Sequence, residues 1–417
     1  MVTTINNKHK KLNVPNIRFP EFSGEWEECK LGDYGKVVTG NTPPTKDVEN
    51  YEDGTYLWAS PADLGTIKSI TETKTKLSSK GFSKTRALPR GSILVTCIGS
   101  TIGKTGMATK EMSTNQQINS IVVNKDNDNE FVYYAIQSAF PRYLSSIAVQ
   151  AVPIISKSGF ELLPNKRPCL QEQKKIGNFL SLLDERIATQ TKIIEDLKKL
   201  ESAIIENVFC SPNQEHPMCR IEGFEQALST YKMSDFSSRI ATKNKDGKCS
   251  LVLTIAAQYG LVNQESFFNK SVASENLTGY YLLHKGEFAY NRSYSAGYDW
   301  GAVKRLDDYD EGVLSTLYIC FKINETIVDS DYLAYYFESI KWHRGLSDIA
   351  GEGARNHGLL NVSMTDYFNT KHRFPVIEEQ KAIAKMLNAI TEKERKATLL
   401  RECYQKQKQY LLRQMFI

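Results

Sequence analysis

The stretch 98–106, IGSTIGKTG, carries the residue types of a phosphate-binding loop: glycines for close backbone approach, Lys104 for charge and Thr105 for a hydroxyl. That chemistry needs a glycine, four residues, then Gly-Lys-Ser/Thr, so that successive N–H groups wrap the phosphates. Counting back from Gly103-Lys104-Thr105, the first glycine belongs at 98, which holds Ile, and Gly99 is one residue too close. The adjoining stretch 107–124, MATKEMSTNQQINSIVVN, is polar and then strand-like instead of opening an amphipathic helix. The spacing predicts a glycine-rich turn without ATP chemistry.

Other catalytic constellations fail the same test. The Asn/Asp-Pro-Pro-Tyr/Phe tetrapeptide that holds a flipped base in adenine methyltransferases does not occur. The stretch 351–356, GEGARN, begins like a dinucleotide fingerprint but has Asn356 where the third glycine belongs. The six histidines are isolated, and His216 and His357 read as surface or loop residues. Asp63 and Asp235 read as turn or capping residues. Eight cysteines (29, 97, 169, 210, 219, 249, 320, 403) contain no Cys-x-x-Cys pair, so free thiols in a reducing cytoplasm and no metal are expected. These failures together argue against an enzyme.

The elements that would position any site are organised by an internal repeat. Residues 168–209 lie over 375–416 without gaps at an offset of 207, with Pro168/Pro375, Glu172/Glu379, Gln173/Gln380, Ile176/Ile383, Leu180/Leu387 and Phe209/Phe416 coinciding. Both segments read as long helices, opened by Pro with acids in the first turn. In the first, Ile176, Leu180, Leu183, Ile187, Ile194, Leu197, Ile204 and Val208 form a coiled-coil seam, broken at Gln190/Thr191 and Glu201. The second seam, poorer but in register, runs through Ile383, Leu387, Ile390, Ala397, Tyr404, Leu411 and Met415. Some 40 residues at ~1.5 Å each make a rod of about 60 Å, whose natural partner is the other copy, packed antiparallel about a pseudo-two-fold axis.

The regions before the helices correspond with gaps: 30–37 with 232–239, 88–95 with 283–290, and 131–140 with 332–341. In the second of these pairs a Lys/Arg-Gly step introduces a strand, and the third is an amphipathic helix in both copies. The stretches 119–123 and 317–321 read as buried strands. The expected fold class is mixed α/β (α+β). It comprises a first globule over 1–165, a central helix over 166–210, a second globule over 211–370 and a C-terminal helix over 371–417. Where the first globule has its Gly99–Lys104 loop, the second carries SYSAGYDWGAVK (293–304) with no Gly-Lys-Ser/Thr. A scaffold kept twice with different loops suggests two related tasks on two targets.

Composition sets outer bounds. The 417 residues are 41% hydrophobic and 24% charged with a formal net charge of +5, and no apolar run approaches 18 residues, so no membrane span is expected. The basic leader, MVTTINNKHKKLNVPN, has no apolar run of an export signal. Between 66 and 110 there are nine Lys/Arg against one acid, Glu72, a bias that points toward nucleic acid.

Two globules, each followed by a Pro-x-x-x-Glu-Gln helix, resemble the specificity subunit of type I restriction–modification systems. The likeness covers nearly the whole chain and rests on FPEFSGEWEECKLGD (19–33), GNTP (40–43), LPRGSILVTCIGSTIGK (88–104), NQQINSI (115–121) and both EQK helix openings. The second globule departs from it, lacking the Thr-Pro turn and the Gly-Lys loop. The resemblance implies a non-catalytic protein that reads a bipartite, asymmetric site in double-stranded DNA, one globule per half-site. The paired helices would act as spacer and docking platform for two methyltransferase subunits, with restriction subunits joining afterwards. S-adenosylmethionine, ATP and magnesium would belong to those partners and none to this chain.

On that reading Lys74, Lys76, Lys80, Arg86 and Lys104 are candidates for phosphate contact, and Lys243, Lys245 and Lys304 are further DNA-binding candidates. Ser100, Thr101, Gln116 and Gln117 in the first globule, and Arg292, Tyr294, Arg355 and Asn356 in the second, are candidates for base reading. Backbone pairing of Gln116 and Gln117, or a structural role for Arg292, is the competing account of those residues. The alternative for the whole chain is a coiled-coil interaction scaffold whose globules bind something other than DNA.

Overall fold

Pro168 and Pro375 each precede a helix that runs nearly 40 residues. The computed structural model describes residues 13–65, 67–147, 154–269, 276–293, 295, 297–349, 355–356, 359–360 and 362–417. Its central helix spans Leu170–Val208 and its C-terminal helix Ile377–Gln414. Acids stand in the first turn of both, where they meet the positive end of the helix dipole. Gly177 is tolerated for a steric reason: a Cβ there would lie 2.6 Å from Asp128 Oδ1 and 2.9 Å from the Phe131 amide nitrogen.

The chain divides into two units, 1–191 with 398–417, and 192–397. Each helix therefore contributes to both units, whereas the sequence reading drew its boundaries at the helix ends.

In the first unit a five-stranded sheet has the order Gly35–Thr39, Ile118–Val123, Ile93–Thr96, Thr105–Ala108, Ser69–Ile70. All its pairings are antiparallel except the last. A three-stranded sheet of Thr75–Leu77, Tyr56–Ala59 and Ser113–Thr114 stands beside it. The helix Asn129–Ile147 buries Phe131, Tyr134, Ile136 and Phe140 in the main core. It continues through Pro141, where the sequence pattern ended it. The halves of the long helices belonging to this unit pack antiparallel: Ile176, Leu180 and Leu183 share the core with Leu411 and Met415, and Phe416 stacks 5.5 Å from Phe131.

The second unit repeats the central four strands in the same order: Ser237–Arg239, Ile319–Ile323, Phe288–Asn291, Ala302–Arg305. Gly91 and Gly286, both at φ 85°, make the left-handed turn before equivalent strands, which is why the Lys/Arg-Gly step recurs. The hairpin Leu253–Ala256 with Gly260–Asn263, the pair Tyr281–His284 with Glu311–Leu314 and the pair Ser229–Lys232 with Lys371–Phe374 add further β structure. The buried strand expected over 317–321 begins two residues later. Ser315 folds the preceding segment into a turn, accepting from the Leu317 and Tyr318 amides, and Leu317 is exposed. Phe209, ending the central helix, packs 5.0 Å from Tyr332 and 5.6 Å from Tyr336, among the core residues Ile383 and Leu387.

The expected seam positions Ile176, Leu180, Leu183, Ile194, Ile383, Leu387, Ile390, Ala397, Leu411 and Met415 are all buried. The rest, Ile187, Leu197, Ile204, Val208 and Tyr404, are half-buried. No helix among the described residues is long and apolar enough to cross a membrane.

Candidate nucleic-acid interface

The loop 97–104 joins the antiparallel strands Ile93–Thr96 and Thr105–Ala108, and its hydrogen bonds settle what it is. The Ile102 amide donates to Gly99 O, Gly103 to Thr96 O and Lys104 to Thr101 O. A phosphate cradle would aim these amides at its ligand; here the turn consumes them. Gly99 and Gly103 sit at φ 94° and 92°, and a Cβ at 103 would come within 2.5 Å of the Phe140 ring. The glycines thus shape a hairpin tip, and the element after it is a strand, not a helix. Beneath the tip, burial pushes the Cys97 thiol up to about 12, which leaves it protonated and unreactive.

A second turn lies against this tip. Cys97 donates its amide to Gln117 O, and a Cβ on Gly99 would stand 3.9 Å from Gln117 Nε2. Asn115 is buried and holds the turn: its Oδ1 accepts from the Gln117 amide and its Nδ2 donates to Gln117 Oε1, both at 3.0 Å. Thr42 donates its hydroxyl to Gln116 Oε1, and Arg86 donates to Thr39 O at 2.6 Å. Asn41 fixes Arg86 further by accepting its amide. Ser100, Gln116 and Arg86 are exposed, and Thr101 and Gln117 half-exposed. The structure thus brings together the base-reading candidates of the first globule. Gln116 and Gln117 bond to side chains, not to backbone, so each retains its Nε2 amino group. Lys104 lies just behind, its stem beside Gly65.

The cationic candidates separate into two groups. Lys76 pairs with Glu72 at 2.7 Å, and Lys80 pairs with Glu49 and lies 3.8 Å from Asp47. Lys84 reaches Asp47 at 2.9 Å and Lys68 reaches Glu130 at 2.7 Å. The nine-to-one bias of 66–110 is therefore weaker in space than along the chain, because folding brings in acids from 47, 49 and 130. Lys74, Arg86, Arg90, Lys104 and Lys110 form none of the ion pairs found among the described residues.

In the second unit the loop between Phe288–Asn291 and Ala302–Arg305 occupies the place of the Gly99–Lys104 tip. Lys304 is not free to meet a phosphate: it pairs with Glu338 and lies 5.0 Å from the Tyr298 ring centroid. Tyr298 also donates to Glu338 at 3.1 Å, and burial with that carboxylate pushes its hydroxyl above the usual range. Arg292 donates to Val362 O at 3.1 Å and Leu317 O at 3.2 Å while its Nε is buried without a partner, so the guanidinium ties three chain segments together. These bonds match the structural role that competes with base contact as the account of Arg292. Lys243 donates to Gly279 O and sits 3.8 Å from the Tyr281 ring centroid, and Lys245 is exposed. Arg355 and Asn356 pair in backbone with Leu359 and Leu360, and their side chains lie outside the described structure, as do Tyr294 and His357.

The sequence reading missed Thr42, Asn41 and Asn115, the residues that hold the readers. It also missed an aromatic trio: Tyr259, Phe267 and Phe268 are 70%, 45% and 46% exposed, with successive ring centroids 6.3 and 5.1 Å apart. Asn115 directly precedes the Gln pair, which was the available signal; nothing in the pattern separates the aromatics from core residues. Asp63 and Asp235 do cap turns, accepting from the Ser60 and Lys232 amides, and His216 is exposed. Among the described residues no cluster of His, Cys, Asp and Glu could hold a metal ion.

Residues 23–199 match the family model described as the type I restriction modification DNA specificity domain. The MjaIX specificity subunit of Methanocaldococcus jannaschii is 28% identical over 191 residues, 44% of this chain and 44% of that protein. The HindI specificity subunit of Haemophilus influenzae is 35% identical over 126 residues, 30% of this chain and 27% of that one. The chain thus spans less than half the length of these relatives. The crystal structure of a type I S subunit from M. genitalium superposes with a TM-score of 0.59 at 16% identity, covering 97% of this chain and 99% of that one, and so shares the fold. Residues 23–199 are thus similar to the type I restriction–modification DNA specificity domain, and the second unit repeats four strands of the same sheet in the same order.

Proposed function

We propose that this chain is the DNA sequence-specificity subunit of a type I restriction–modification complex. In this reading it recognises a bipartite, asymmetric site in double-stranded DNA and directs adenine methylation or restriction by its partners. The observation that carries it is the repeated four-stranded scaffold with a different loop at the same hairpin: the tip 97–104 beside Gln116 and Gln117 in one unit, the loop 292–301 in the other. Different side chains on a common frame suit two half-sites of different sequence.

The chain itself is a recognition component with no catalytic role. Adenine methylation by two methyltransferase subunits would use S-adenosylmethionine there, and restriction subunits would use ATP and magnesium. Such a complex works in the cytoplasm, where its DNA is. Lys74, Arg86, Lys104, Lys243 and Lys245 would neutralise phosphates, while Ser100, Thr101, Gln116 and Gln117 would read base edges.

Long-read methylation mapping of the host genome with and without the gene tests this. One bipartite adenine-methylated motif should disappear on deletion; an unchanged set of motifs refutes the proposal.

A further inference from the structure

The apolar residues at the start of the two long helices discriminate little between them, because Ile176/Ile383 and Leu180/Leu387 are identical at equivalent positions. A central helix could bury its seam against a C-terminal helix or against the central helix of a second copy. The polar groups beside the seam differ.

In the first unit Lys408 Nζ lies 2.6 Å from Asp184 Oδ1, with side chains only 15% and 17% exposed, and Tyr134 donates to Asp184 Oδ2 at 2.6 Å. The 207-residue offset makes Thr391 the counterpart of Asp184 and Glu201 the counterpart of Lys408. In the second unit these two meet instead as a hydroxyl and an acid: Thr391 donates to Glu201 Oε1 at 2.8 Å, beside Tyr335, the counterpart of Tyr134. A second interhelical ion pair, Lys198 with Glu394 at 3.4 Å, is likewise one-sided, because the counterparts are Gln405 and Ile187.

We infer that this charge asymmetry selects pairing of the two unlike helices within one chain over pairing of like helices between two copies. Two central helices mated in the same register would set Asp184 against Glu201 twice and leave Lys198 opposite Ile187. Two C-terminal helices would set Lys408 against Thr391 and Glu394 against Gln405. Both ion pairs exist only in the mixed pairing. Like charges at the half-buried Asp184 and Glu201 positions are costly, an unpaired Lys198, 64% exposed, much less so, and matched apolar positions such as Ile176/Ile383 tolerate either arrangement. The device matches the polar and charged positions that set partner choice in coiled coils.

Making the two units alike tests this in the full chain. E201K/T391D installs the Asp–Lys pair of the first unit in the second, and D184T/K408E does the reverse. Each leaves the mixed pairing satisfied and removes the Asp184–Glu201 clash from the like pairing. After refolding from urea, sedimentation velocity should show self-association at least about tenfold tighter than wild type, ~1.4 kcal/mol in equilibrium terms. T391D alone, which faces Glu201 with a second acid, should melt lower than wild type, and E201K should restore it. The inference is overturned if the double variants self-associate no more than wild type, or if E201K/T391D melts no higher than T391D.

Discussion

Arg18 donates from Nε and Nη2 to the two carboxylate oxygens of Glu172, at 2.8 and 2.7 Å, across 154 residues of chain. Arg220 does the same to Glu379 at 2.8 and 2.7 Å. The neighbouring glutamines are duplicated as closely. Gln173 accepts from the Asp128 amide and donates to Pro168 O, while Gln380 accepts from Asp329 and donates to Pro375 O. Glu-Gln at each helix start is therefore a tether that fixes the helix to its globule: the acid takes the segment that opens the globule, the amide the start of the globule's own helix.

Arg18→Ala should leave Glu172, whose side chain is 1% exposed, as a buried carboxylate without its cation. Removing one partner of such a pair costs roughly 3 kcal/mol. Arg18→Ala/Glu172→Gln should recover much of that loss. Urea denaturation of the two variants measures the difference.

Lys104→Ala should weaken DNA binding evenly across sequences and lower the log–log salt slope by ~0.9, the share of one phosphate contact. Lys76→Ala should change the slope less, because Glu72 already offsets its charge. Fluorescence anisotropy on specific and unrelated duplexes over a salt series separates the two.

Exchanging residues 211–370 for the matching segment of a relative should change one half of the methylated motif and leave the other intact. Methylation mapping of the chimera reads the result directly. A change in both halves would refute the assignment of one globule to one half-site.

Burial lowers His372 from its ordinary 6.5 to about 3, and burial lowers His343 to about 4 despite Asp299 nearby. His372 is held neutral between Tyr336 OH and Thr370 Oγ1. Because the unfolded chain takes up these protons near 6.5 and the folded chain only far lower, their contribution to stability is full above pH 6.5. It falls as pH drops toward 3, by up to ~1.4 kcal/mol per pH unit for each histidine. His372→Gln should flatten the dependence between pH 5 and 6.5, as measured by urea unfolding at each pH.

The sequence determined a good deal unaided. The 207-residue repeat, both helices and the seam residues were legible because helical periodicity and gapless identity are local, one-dimensional properties. That IGSTIGKTG departs from the spacing of a nucleotide loop was legible too, since Ile98 stands where the first glycine belongs and Gly99 is one residue too close. Charge was where the linear reading misled: Lys80 and Lys84 stand alone in their window, yet Asp47 and Glu49 reach them only once the chain folds back. Tertiary structure alone decided that Arg292 and Lys304 are bound to carbonyls and to Glu338, while Gln116 and Gln117 keep free amino groups. It alone set Lys408 against Asp184 and Thr391 against Glu201. Hydrogen bonds and ion pairs depend on the approach of groups far apart in sequence, and no periodicity records that approach.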